Sequence, residues 1–445
     1  MARIKAFAGM RYTPKAGEPQ QLLCPPYDII SEQQRKEYLA VNPNNLIRLE
    51  LPREGDEPYA QAGAQLRSWL QEGILAVDEQ PALYIYEEEF TVRGQTMRIK
   101  GVHCLVKLEE FSAGVVLPHE ETLSKAKTDR FELMKACGCN FSPIYSLYFD
   151  EDNRVFSQIE ALSSGKPNQE FAAEDGIIHR LWIARDQEAC AQVEAAFAQK
   201  KLYIADGHHR YETALNYRRW LREQGVEAPV GDYVMMTLVN MEHPGLVVFP
   251  THRIVRDLPD FELEATLERC RKYFDIKEKT TAITAQITFA DGEVQQLADG
   301  SKGDAIVFEL ERRLQENKAA FGLYTGGSSF YELTLRDAQA MQELLPHSSD
   351  AYRGLDVAVL HSLILEQCFG IDKENMANQK NLTYTRDAGE AIAEVDAGRA
   401  NCAFLINHTK VEQIAAVAAA GEKMPQKSTY FYPKIITGTV MNKIL

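Results

Sequence analysis

The chain has 445 residues, 45% hydrophobic and 25% charged, with a formal net charge of -15, which suits a globular protein of two or three domains. The negative balance argues against non-specific nucleic-acid binding, which depends on Lys and Arg neutralising phosphates. No apolar run approaches the roughly 18 to 20 residues that span a bilayer, and the start Met1-Ala2-Arg3-Ile4-Lys5 lacks a signal-peptide core. Neither nucleic acid nor membrane is therefore an expected partner, and the expected location is cytoplasmic. Eight scattered cysteines, of which only Cys137 and Cys139 are close, read as reduced thiols.

In chain order, Arg11 is an early polar candidate. The prolines of Leu23-Cys24-Pro25-Pro26-Tyr27-Asp28 fix an extended approach, and Ser31 reads as the N-cap of a helix, so Asp28 sits on a stiff turn as a candidate base or ligand. Residues 59–74 have amphipathic helical spacing. Strands are expected at 82–86, 90–92 and 101–108. After the apolar run 115–117 comes a charged loop holding His119, Glu120, Thr122, Lys125, Lys127, Asp129 and Arg130. Its cations suit phosphate oxygens, and Glu120 or Asp129 suits a metal ion or a hydroxyl proton. A helix at 130–136 and strands at 140–148 and 179–183 follow, then a helix at 190–197.

The densest motif is Ala205-Asp206-Gly207-His208-His209-Arg210-Tyr211. Leu202 to Ala205 is a β-biased run, and helical spacing starts at Tyr211, so the residues between form a strand-to-helix turn. Gly207 permits a bend or a close approach to a ligand, and a helix start directs N–H groups and positive potential into the same space. Arg210 adds a planar fork for phosphate or carboxylate, His208 and His209 add donors, and Asp206 adds a carboxylate for a metal or a proton. Strands are then expected at 232–240 and 247–255, the latter carrying His252-Arg253, a second anion candidate. A helix at 261–274 and a meander of 305–309, 320–325 and 330–335 read as a smaller α+β domain. A strand at 400–406, a helix at 411–420 and a tail with Lys427, Ser428 and Thr429 complete the chain. The expected division is 1–257 as the catalytic region, 258–345 as the smaller domain, and 346–445 as an α/β segment returning to the core.

Pro25-Pro26-Tyr27-Asp28, Leu117-Pro118-His119-Glu120-Glu121-Thr122 with Lys127 and Asp129-Arg130, the Asp-Gly-His-His-Arg turn, Pro250-Thr251-His252-Arg253, and Lys427-Ser428-Thr429-Tyr430-Phe431-Tyr432-Pro433-Lys434 recur in this order. In these motifs the chain resembles, from end to end, the prokaryotic domain-of-unknown-function family 1015. That resemblance implies a mixed α/β (α+β) fold with a ParB/sulfiredoxin-like phosphate-binding core, and members that look like pyrophosphate-dependent serine kinases. No Walker loop, protein-kinase loop set or dinucleotide fingerprint occurs, and a small donor such as pyrophosphate requires only a cradle.

The expected activity is phosphoryl transfer from pyrophosphate or a nucleotide to free L-serine, with Mg2+. Gly207, His208, His209 and Arg210 would bind the donor, and Asp206 would hold Mg2+ or orient the cradle. Glu120 is the first candidate base and Asp28 the second. Arg130, Lys127, His252, Arg253 and Lys427 would bind phosphate or the serine carboxylate, with His119, Thr122 and Asp129 beside them. Two alternatives stand: a metal-dependent phosphohydrolase using Asp206, His208, His209 and His119, and a non-catalytic serine or phosphoserine sensor.

Overall fold

A computed structural model describes residues 1–120, 124–281, 286–288, 294–296, 302–316 and 318–445. Its described residues form two units, Met1–Val247 with Phe431–Leu445, and Val248–Tyr430. The architecture is mixed α/β, as the sequence implied.

The first unit is built on strands β1 (Ile4–Lys5), β2 (Leu83–Val92), β3 (Gln95–Lys107), β4 (Val116–Leu117), β5 (Ile144–Tyr148), β6 (Gln169–Ala172), β7 (Ile178–Ala184), β8 (Leu202–Asp206) and β9 (Tyr233–Asn240). They form one sheet in the order β4-β8-β5-β9-β3-β2-β7-β6, with β1 paired to β3. Strand alternation divides its faces. Ile85, Val102, Leu238, Ile204 and Trp182 join an apolar core with residues of helices α4 (Arg154–Leu162), α5 (Gln187–Phe197) and α6 (His208–Glu223). A second core gathers Leu66 and Trp69 of helix α2 (Pro58–Gln71), Leu133 of α3 (Ser124–Cys137), Leu46, Leu49, and Met441 from the returning tail. Helix α1 (Glu32–Val41) starts on the Ser31 cap, whose Oγ accepts from the Gln34 N–H.

The other face carries polar groups. Tyr84, His103, Thr237 and Tyr145 lie in register across β2, β3, β9 and β5. The ladder between β8 and β5 then slips: Ile204 faces Ser146, but Asp206 faces Tyr145. Without that bulge the alternation would send Asp206 to the apolar side with Ile204; the extra residue turns it onto the polar face. On the same face the Tyr86 hydroxyl lies 2.9 Å from Glu88 Oε1 and 2.7 Å from His179 Nδ1.

Glu88 is only 2% exposed, and burial pushes its carboxyl pKa up to about 8 despite the Tyr86 hydrogen bond. A raised carboxyl pKa means that the folded state binds more protons than the unfolded chain between about pH 4.5 and 8, so stability falls as pH rises through that window. Glu88→Gln removes this dependence while keeping polar atoms beside Tyr86. We expect the variant to match wild type near pH 4.5 and to exceed it by roughly 2 to 4 kcal/mol above pH 8, read by urea unfolding. A pH-independent difference would show that Glu88 is ionised in the native protein.

The second unit holds strands β10 (His252–Val255), β11 (Phe274–Thr280), β12 (Ala320–Tyr324), β13 (Ser329–Leu335), β14 (Leu382–Thr385) and β15 (Cys402–Ile406). They order as β11-β13-β12-β15-β10-β14, with antiparallel neighbours. Helices α7 (Leu263–Cys270), α8 (Lys302–Gln315), α9 (Ala388–Asp396) and α10 (Val411–Ala419) accompany the sheet.

Several elements differ from the sequence expectation. Residues 305–309 lie in α8, not in a strand: Ile306 and Leu310 are buried while Phe308 is exposed, a helical spacing that the β-branched run Ile306-Val307 masks. The run 247–255 breaks at Pro250, leaving Val247–Phe249 and β10 as separate strands. The helix expected over 261–274 covers Leu263–Cys270, and Phe274 begins β11. The division at 257 and 345 also differs from the two units. β12, from the middle segment, hydrogen-bonds to β15, from the C-terminal segment, so the two segments share one sheet, and the return to the first unit begins at Phe431. All eight cysteines are buried thiols.

Candidate functional site

The site forms where β8 passes into α6. Gly207 sits between them in the left-handed region, φ +94, and serves as the N-cap. The helix begins at His208, so the residues read as a turn are its first helical turn. The Tyr211 N–H donates to the Gly207 carbonyl at 3.0 Å; the N–H groups of residues 208 to 210 precede any intrahelical acceptor and point out of the helix end.

Arg210 folds back over Gly207. A Cβ at position 207 would lie 2.9 Å from the guanidinium carbon, so any side chain there would be strained by the backbone conformation and would push the guanidinium aside. Arg210 Nη2 donates to Asp206 Oδ2, and Nη1 donates to the Pro143 carbonyl. Lys434 Nζ, from the returning tail, donates to Asp206 Oδ1. Burial opposes ionisation of Asp206, but Lys434 and Arg210 outweigh it and hold the carboxyl well below its usual range. The result is one carboxylate aligning two cations at a helix N-terminus.

His119 extends this arrangement from the end of β4. It is 1% exposed, and its Nδ1–H donates to the Ile204 carbonyl at 2.6 Å. Burial lowers its pKa to about 4, so the ring is neutral at pH 7. Its backbone N–H donates to His208 Nε2 at 3.2 Å, and the two rings meet edge to face at 4.6 Å. His209 is half-buried; burial lowers its pKa, Asp28 and Glu212 oppose the shift, and Lys127 and Arg210 assist it. Asp28 thus acts on the same helix end from its exposed turn.

The structure brings Asp28, His119, Asp206, Gly207, His208, His209 and Arg210 together. Glu120 follows His119 directly and is half-buried. Thr122 lies outside the described residues. Lys127 Nζ pairs with Glu212 Oε2 at 2.8 Å, joining α3 to α6. Asp129 accepts from the Tyr59 hydroxyl at 2.8 Å and pairs with Arg130. Arg130, expected to bind substrate, is buried and engaged by the chain's own groups. His252, Arg253 and Lys427 belong to the second unit, where Arg253 Nη2 donates to the Lys427 carbonyl at 3.1 Å and lies 3.1 Å from His361 Nε2.

The expectation that Asp206 holds Mg2+ does not fit this geometry. Each of its oxygens already receives a cationic donor, and a divalent ion there would face two positive charges. The histidine set proposed for a hydrolase metal is also disfavoured, because His208 Nε2 accepts from the His119 backbone. Among the described residues, no group of three or more His, Cys, Asp or Glu side chains is arranged to hold a metal ion.

Two participants escaped the residue reading. Lys434 closes the tail motif, but nothing local names Asp206 as its partner. Glu50 lies in the ordinary helical stretch Ile47–Glu50 and carries no sequence signal.

The mixed α/β chain carries a cationic, glycine-opened strand-to-helix junction, a local chemistry that suits an anion. A family model described as "Protein of unknown function (DUF1015)" matches residues 4–358, and the chain belongs to that family. No curated protein sequence matches it. Among solved structures it is similar to a free serine kinase in complex with AMP, at 14% identity over 77% of this chain and 91% of that one, with a TM-score of 0.36. It is also similar to a conserved hypothetical protein from Pyrococcus furiosus, at 14% identity, covering 75% and 92%, TM-score 0.33. A third is SbnI with C-terminal truncation from Staphylococcus aureus, at 10% identity, covering 75% and 84%, TM-score 0.32. No described helix is long and apolar enough to cross a membrane.

Proposed function

We propose that this chain transfers a phosphoryl group from pyrophosphate, or from a nucleotide, to the hydroxyl of free L-serine, giving O-phospho-L-serine. The observation that carries the anion-binding part is the Asp206 carboxylate holding Arg210 and Lys434 beside the N-terminus of α6, in a chain of net charge -15. The motif resemblance supplies the acceptor and the donor.

In this reading the donor phosphates lie against the α6 N–H groups and Arg210, with His209 as a further donor. Serine Oγ attacks the terminal phosphorus, the bridging P–O bond breaks, and phosphate or a nucleotide leaves. The serine proton passes to Glu120 or Asp28. The neutral His119 and its bond to the β8 carbonyl keep the cradle floor rigid. Mg2+ would supply charge neutralisation on the donor.

The test is phosphorus NMR of the purified protein with L-serine and Mg2+, with pyrophosphate, ATP or ADP in separate tubes. A phosphoserine resonance is expected with pyrophosphate, and Glu120→Gln is expected to slow its appearance by about 10²-fold or more. If Asp28→Asn rather than Glu120→Gln has that effect, Asp28 is the base. Folded protein that makes no phosphoserine in any tube would sink the reading.

A further inference from the structure

We propose that Glu50 and Arg130 are a positioning pair: they hold the Tyr27–Ile29 turn, and with it Asp28, near the start of α6, and Arg130 does not touch substrate. The catalytic meaning of this pair rests on the phosphotransferase reading; its structural content does not.

Arg130 is 6% exposed. Its Nη1 donates to the Glu50 carbonyl at 2.7 Å and stands 3.6 Å from Glu50 Oε1. Its Nε donates to Asp129 Oδ2 at 2.8 Å, and Nη2 lies 2.6 Å from the same oxygen. Its guanidinium carbon lies 4.1 Å from the centroid of the Tyr27 ring. Nη1, Nε and the guanidinium face are thus engaged by the chain itself, while Nη2 is buried and, despite its distance to Asp129, makes no hydrogen bond.

Glu50 is equally enclosed, at 2% exposed, and accepts from Ser142 Oγ at 3.0 Å. Arg130 and Arg210 both act on its carboxylate. A cavity of about 50 Å³ is lined by Glu50, Arg130, Ser142, Arg210 and Thr213. Burial pushes the Glu50 carboxyl up, and the two guanidinium groups, one under the Tyr27 turn and the other at the start of α6, oppose that shift. Tyr27 packs its ring against the second apolar core while Arg130 covers it. A ring held in this way fixes the one-turn helix in which Asp28 is the next residue, a stabilising cation–π contact that a methionine would lose.

Asp28 and Glu212 pull the His209 pKa up, and Lys127 and Arg210 pull it down. His209 therefore reports where Asp28 is. The experiment is an NMR titration of the His209 ring in the ligand-free full-length chain. Asp28→Asn removes a negative charge and lowers the midpoint. The clamp predicts that Arg130→Met lowers it in the same sense by a comparable amount. The double variant Glu50→Gln/Arg130→Met, which leaves no uncompensated buried charge, should do the same and guards against a failure to fold. A folded variant whose His209 keeps the wild-type midpoint would overturn the proposal, as would a midpoint unmoved by Asp28→Asn.

Kinetics give the second reading. The clamp predicts a kcat reduced about tenfold or more, with the donor KM within about twofold of wild type. A raised donor KM at unchanged kcat would make Arg130 a substrate contact. If wild type forms no phosphoserine, the phosphotransferase reading fails, and the His209 titration still decides the clamp.

Discussion

Arg210→Ala is expected to lower phosphoserine formation by about 10² to 10³-fold, the scale seen when one preorganised donor to a developing charge is removed. Three features put the effect at this size. The guanidinium is fixed at both ends, by Asp206 and by the Pro143 carbonyl, so it needs no reorganisation when the donor binds. It lies at the start of α6, where the helix field adds to its own. It is also shielded, with a side-chain exposure of 11%, so its interactions are little weakened by solvent. Arg210→Lys should recover little, because one ammonium cannot span both acceptors in a planar fork. Gly207→Ala should act through the same group, since the added Cβ meets the guanidinium and φ +94 strains any side chain. The check is initial-rate phosphorus NMR beside circular dichroism of each variant. Near-wild-type turnover in folded Arg210→Ala would remove Arg210 from the donor site.

The second large effect concerns stability. Lys434→Met leaves Asp206 with one cation in place of two, both partners being more than four-fifths buried. We expect a loss of roughly 2 to 3 kcal/mol, somewhat below the cost of fully orphaning a buried charge because Arg210 remains. The pH dependence follows from the depressed pKa of Asp206. Its stabilisation is complete above the unfolded value near 3.8 and is lost as pH falls through the folded value. Lys434→Met moves the folded value back up, so the gap between variant and wild type is full at pH 7 and narrows below about pH 4. Asp206→Asn/Lys434→Met should be less destabilised than Lys434→Met alone, because the stranded charge is gone. The three tryptophans, Trp69, Trp182 and Trp220, all lie in the first unit, so their fluorescence in urea reports the relevant transition. Equal destabilisation of the single and double variants would show that Lys434 acts by packing.

Charge thus has two distinct uses around this junction. Asp206 holds two cations at the start of α6, whereas Glu50 holds a cation turned inward against Tyr27. Asp129 and Arg130 illustrate the ambiguity of reading adjacent charges from a motif: a charged loop and a buried clamp have the same local composition. Burial, decided by α3 packing on α2 and α6, separates them.

The sequence by itself determined the junction. A β-biased run, Gly207 and a helix legible from Tyr211 are contiguous, and their conformations follow from local preferences and the helix end, although the helix itself opens three residues earlier, at His208. It also determined that Asp28 lies on a stiff turn after two prolines and that His119 ends an apolar strand. Tertiary structure alone decided the rest. Lys434 reaches Asp206 across 228 positions, and a one-residue bulge turns Asp206 to the polar face. Glu50 meets Arg130 from 80 residues away. Alternation and helical spacing state which side of an element is apolar, but they do not state which element packs against it. Pairing of distant segments is settled by the burial of whole faces in one core, so partners drawn from separate segments leave no local trace.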